Sequence, residues 1–197
     1  MGEERLERAL AAIDAANADD PVRIEVRGRT RPKEQAHAEL MSEWVAALAP
    51  EASEALQLAA RAHHLRRWQI PRAEYPEGRA GYLRWRRALH DFHAEQARAI
   101  LAELGFEEAL LSRVDDLLHK RGLARGDAEA QTLEDALCLV FLETQYRELA
   151  ARLEGDKLVD VTRKTLKKMS PRALELARGL PLDPRDAETI RRAAQPD

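Results

Sequence analysis

Apolar residues recur at three- and four-residue intervals along almost the whole chain, the spacing that gathers them on one face of an α-helix. Residues 3–16 carry a first such stripe. Residues 33–48 carry a second, with Leu40, Trp44 and Leu48 on one face, and Pro50 breaks it. A third helix is predicted over 51–68. Residues 70–81 hold Pro71, Pro76 and Gly81 and predict a loop. A long fourth helix over 82–104 meets Gly105, and a fifth over 107–121 meets Gly122, glycine being common just past a helix C-terminus. Helices over 128–153 and 156–169 follow. Ser170 before Pro171 starts an eighth, because serine caps the free amides and proline suits the first turn. Residues 183–194 predict a ninth. Val22 to Val26 alternates like a strand but has no evident partner, so it reads as an extended connector inside the 17–32 loop.

The pattern predicts an all-α, single-domain bundle of about eight helices. Its core is expected over 33–169, with 170–197 as a helical C-terminal extension. A chain of 197 residues is ordinary for one domain. Cys138 is the only cysteine, so no disulfide forms within the chain, which suits a cytoplasmic protein. The first residues are charged, and no apolar run approaches the ~20 residues that span a bilayer, so no membrane partner is expected. A net charge of -3 gives no general attraction to nucleic acid or membrane.

Histidines and carboxylates inside this apolar pattern carry the chemistry. His63 and His64 close a run of small residues, where polar groups are unfavourable unless satisfied. Adjacent positions on a helix project about 100° apart. Both reach one centre only from the end of a helix that abuts it. Glu134 and Asp135 open the most apolar run of the chain. Asp135 shares a stripe with Leu139, Leu142 and Tyr146 and is expected to point inward; equally, it is a first-turn acid favoured by the helix dipole. His93 lies on the stripe of Leu89, Ala97 and Ile100, where a satisfied core histidine is the commoner reading. His90 points away from that stripe. His119 has Asp115 one turn back, and His37 stands near the start of the Trp44 helix. As a group these imidazoles and carboxylates suit iron, manganese or zinc, and such residues converge in bundle cores.

A second set is basic and aromatic. Between residues 66 and 87 every base is arginine, interleaved with Trp68, Tyr75, Tyr82 and Trp85. Arginine grips phosphate with two parallel N–H groups and stacks on aromatic faces. The alternative is an arginine-rich surface that packs its own stems. Lys157, Arg163, Lys164, Lys167 and Lys168 surround an apolar stripe and read as a solvated helix face.

Residues 59–72, 79–86 and 131–143 are similar to the signature of the domain of unknown function 4202 family, a likeness that runs over nearly the whole chain. More distantly, the order of histidines resembles the HD superfamily of helical metal-dependent phosphohydrolases. His37 with Met41 resembles that pattern's first histidine, and His63-His64 falls where its His-Asp pair stands. His93, His119 and Asp135 resemble its later ligands. The pair here is His-His, a departure from the pattern. This resemblance implies a divalent metal held by His37, His63, His64 and Asp135, with His93 and His119 available to a second ion. It implies hydrolysis of a phosphorylated small molecule or nucleotide, the phosphate gripped by Arg66, Arg67 and Arg84. Two other readings keep the fold: a di-iron oxygenase, and a non-catalytic module that binds a nucleotide, nucleic acid or protein.

Overall fold

The structure, a computed structural model, describes residues 2–153 and 155–194. In chain order it contains α1 (Gly2–Ala18), β1 (Arg23–Val26), β2 (Arg29–Pro32), α2 (Lys33–Leu48), α3 (Glu54–Ala62), α4 (Gly78–Glu103), α5 (Glu108–Leu118), α6 (Ala128–Thr144), α7 (Tyr146–Arg152), α8 (Asp156–Leu166), α9 (Pro171–Arg178) and α10 (Pro184–Ala193). The all-α class expected of the sequence is the fold observed. Four helices, α3, α6, α9 and α10, start where a side-chain oxygen accepts from one of the first free amides. Ser53 accepts from the Leu56 amide, Asp127 from that of Ala130 and Ser170 from that of Ala173.

Two apolar clusters make one domain, and α6 belongs to both. The first gathers α1 to α5 around Ile13, Met41, Leu58, Leu101 and Leu117, with Leu133 and Ala136 from the front half of α6. The second gathers α7 to α10, with Tyr146 of α7 at its centre, around Leu139 and Leu142 of the back half of α6. A helix buried in two cores must be apolar nearly all round, which explains the run from Ala136 to Leu142. The core therefore extends beyond 33–169: Ala9 and Ile13 of α1 are fully buried, and Ala173, Ala177 and Ala193 bury α9 and α10.

Four local departures matter. The 22–26 segment is not a lone connector: β1 pairs antiparallel with β2, Val26 opposite Arg29. Arg27 and Gly28 both take positive φ, the two-residue turn whose twist matches paired strands. The third helix stops at Ala62, well short of Trp68. The sixth predicted helix breaks at Gln145, where φ is -121°, and Tyr146 enters the second core with its hydroxyl 2.8 Å from Thr162 Oγ1. This break brings the described α-helices to ten, against about eight expected, and an extra turn lengthens the front of α4.

Gly81 lies inside α4 rather than in a loop. A Cβ there would sit 1.8 Å from the Pro76 carbonyl oxygen, so its role is to let the preceding segment fold back against the helix. Alanine is intrinsically the better helix former by about 1 kcal/mol. Gly81→Ala should nonetheless destabilise the protein by about 1–3 kcal/mol through that overlap. The measurement is a lower urea midpoint at unchanged slope. A raised midpoint would show that the 70–77 segment moves aside freely.

Candidate metal centre

The centre forms where the chain leaves α3 beside the first turn of α2. Glu34 and His37 are three residues apart on α2, so both face the same side. Asp20 fixes this turn by accepting the Val22 and Glu34 amides, each at 2.9 Å. Buried alanines at 55, 59, 60 and 62 let α3 approach its neighbours closely. After Ala62 the chain turns, Leu65 is fully buried, and Arg66 takes a left-handed conformation at φ 52°. Its amide donates to Asn17 Oδ1 of α1 at 2.9 Å. His63 keeps helical backbone angles as the cap of α3, and the rings of His63 and His64 both lie against that of His37 near the start of α2.

His37, His63 and His64 each offer a ring nitrogen, and these lie within 4.8 Å of one another. Nitrogens bound at ~2.1 Å to a tetrahedral ion sit about 3.4 Å apart, so closure requires movement of a little over an ångström. The His37 and His64 rings stack at 3.9 Å and 10°. His93 stands next, its ring centre 5.8 Å from that of His64. Its Nδ1 donates to the Leu65 carbonyl at 2.8 Å. His37 Nε2, His63 Nδ1 and His93 Nε2 are buried with no hydrogen-bond partner.

Burial sets the charge state. It lowers His37 and His93 from 6.5 to about 3, helped in both by the positive charge of Arg67. It also takes His63 and His64 well below 6.5, with Lys120 adding to the effect at His63 and neighbouring imidazoles at His64. All four are neutral at neutral pH, the form that ligates metal. Glu34, also buried, lies 3.1 Å from His64 Nδ1 and 3.9 Å from Arg67 Nε. Burial raises its carboxyl to about 7, against the pull of Arg67 and Lys33.

Asp135 does not join this group. Its Oδ1 accepts the Ser170 amide at 2.8 Å and the Gln131 side chain at 2.9 Å, tying the start of α9 to α6. The stripe it shares with Leu139 and Tyr146 faces the second core. His119 also stands apart, one ring nitrogen 2.9 Å from the Asp115 carbonyl oxygen and the other 3.0 Å from Asp91 Oδ1.

A cavity of about 470 Å³ opens from the histidines, walled by α4, α6 and α8. His63, His64 and His93 line one end. Arg67, Arg86, Lys120 and Lys168 bring positive charge, over a floor that includes Leu89, Leu137 and Phe141. Arg67 lies over the Trp85 ring, 4.7 Å from its centre. Of the three predicted phosphate arginines only Arg67 lines this cavity. Arg66 turns to Gln96 at 2.6 Å, and Arg84 is exposed outside the lining. Lys168 lines the cavity rim while its side chain stays exposed, as expected of a solvated face. Glu134 faces the cavity in place of its neighbour and bonds Lys120, with Lys168 at 3.7 Å. Burial raises the Glu134 carboxyl, and the two lysines outweigh it and hold it below its ordinary range.

Sequence reasoning missed Glu34, Arg86 and Lys120. Glu34 was detectable as the three-residue partner of His37. Lys120 was not: it sits past the end of α5 at φ 57°, a reversal no helical pattern announces.

The model of the family described as Domain of unknown function (DUF4202) matches residues 7–190. The chain belongs to this family. The match spans every element that builds the centre, from Asn17 on α1 to Lys168 after α8. No curated protein and no solved structure matches the chain.

Neutral burial of four imidazoles makes this family member acid-sensitive. Between pH 6.5 and about 3 they bind fewer protons folded than unfolded, so stability falls as pH drops through that window. Each contributes up to about 1.4 kcal/mol per pH unit. Glu34 opposes them, losing its proton only near pH 7 when folded, but it is one group against four. Metal-free protein should lose about 5 °C or more of Tm between pH 7 and 5.5, before ordinary carboxylates titrate. A Tm flat over that range would show that the rings charge without unfolding anything.

Proposed function

We propose that the protein is a metal-dependent hydrolase of a phosphorylated small molecule or nucleotide. What supports this reading is one juxtaposition: three clustered neutral imidazoles, His37, His63 and His64, of which His63 and His64 open onto a cavity whose lining includes Arg67, Arg86, Lys120 and Lys168. Three buried nitrogens without partners fit a cation, since each unmade hydrogen bond is unfavourable by about 1–3 kcal/mol. A divalent ion held there would supply Lewis acidity, lowering the pKa of water and polarising a phosphoryl oxygen.

The residues of the chain do the rest. Glu34 orients His64 through Nδ1 and leaves its other nitrogen free for the centre. Arg67 is held between the Trp85 face and Glu34, so its fork is pre-positioned beside the histidines. Arg86 and the two lysines leave the cavity with an excess of positive charge over Glu134, favouring an anionic substrate. The volume accommodates an organic body as well as a phosphate. Among the described residues one group of three or more candidate ligands comes together, and it contains no carboxylate. That favours hydrolysis over a carboxylate-bridged di-iron oxygenase.

The decisive assay is turnover of a panel of phosphomonoesters, phosphodiesters and nucleotides by metal-loaded protein. Activity should vanish with chelator and return with added ion. Arg67→Met should weaken substrate binding about tenfold or more, the worth of a charge-assisted contact. Metal-replete protein inert across the panel, or turnover indifferent to chelation, would overturn the assignment.

A further inference from the structure

We infer that the centre is an imidazole-only site in which His93 supplies a fourth nitrogen and Glu34 acts from outside through His64, a donor set that selects zinc over magnesium, calcium or manganese. The inference rests on the metal reading above and not on phosphoester hydrolysis.

The nearby carboxylates are all engaged elsewhere. Asp20 accepts two backbone amides, and Asp135 accepts Ser170 and Gln131. Glu134 lies between Lys120 and Lys168, and Glu34 lies between His64 and Arg67. Ions that prefer oxygen therefore find no ligands, whereas imidazole nitrogen suits zinc.

His93 has the build of a ligand. It is 3% exposed, and its Nδ1–H is fixed on the Leu65 carbonyl. The neutral ring thus presents Nε2 as a bare lone pair, buried and without partner. Histidines that bind metal commonly anchor their second nitrogen on a backbone carbonyl or a carboxylate. His93 shows the first arrangement and His64, through Glu34, the second. Leu65 follows His64 directly, so the turn that delivers two imidazoles also anchors the ring of a third.

The test is metal titration of chelator-stripped full-length protein, with competition between ions. One zinc per chain is expected, bound at least about a hundredfold more tightly than magnesium or manganese. Glu34→Gln should weaken zinc by about 10–100-fold and keep the stoichiometry. His93→Gln should weaken it by at least that factor. X-ray absorption of the zinc-loaded wild type counts four imidazoles independently of any variant's folding. Equal affinity for manganese and zinc, a carboxylate in the zinc shell, or only three imidazoles would each overturn the proposal. Tight zinc binding without phosphoester turnover would leave it standing and remove the hydrolase reading. Turnover with magnesium alone would do the reverse.

Discussion

The hydrogen bond from the Arg66 amide to Asn17 ties the site to the fold. Arg66 sits in a left-handed conformation that a non-glycine residue adopts only when its surroundings enforce it. Asn17, fully buried on α1, supplies one enforcing contact, and buried Leu65 beside it supplies another. That turn follows directly on His63 and His64, whose rings both lie beside His37 of α2. The Asp14–Arg61 pair, at 2.6 and 2.7 Å, fastens the same two helices one turn earlier. The local geometry of the centre is thus set by α1, which contributes no ligand to it.

A core made for stability alone would not contain this group. Leucine at 37, 63 and 93 would fill similar volume without desolvating a ring nitrogen. The four rings are instead neutral, packed against one another, and short of hydrogen-bond partners at three atoms. Violations of this kind concentrate where function requires them. The surrounding electrostatics point the same way. Arg67 and Lys120 are close enough to disfavour protonation of the imidazoles, so charges that attract an anion to the cavity also keep the rings in their ligating form.

Much of this was legible in the sequence, and the failures have definite causes. Helical spacing located most of the helices; the HD resemblance implied a meeting of His37, His63, His64 and Asp135, and the three histidines lie together without the aspartate. The β1–β2 hairpin was missed because its strands are four residues long and rich in arginine, with only Gly28 to mark the turn. Asp135 was preferred to Glu134 because inward direction was judged on a helix apolar on every side. Such a helix has two interiors, and only tertiary packing tells which residue meets which. Arg84 was preferred to Arg86 for a related reason: 84 and 86 point to different sides of α4, and the segment before Gly81 decides which side is covered.

The sharing of α6 between two clusters explains where the cavity lies. Glu134, Leu137, Cys138 and Phe141 line it from a single face of α6, while the flanks of that helix are committed to the first core and to the second. The segment after α3, helix α4 and Leu118 at the end of α5 close it from one side and α8 from the other. The cavity's histidines stand among the elements of the first cluster, and Lys168 beside those of the second. The C-terminal helices are therefore more than an extension. They hold α8 in place through Leu158, Leu166 and Met169, and α8 with the residues just after it completes the positively charged wall. Cys138 faces this cavity too, but burial pushes its thiol up to about 12, so it stays protonated and contributes packing rather than a nucleophile.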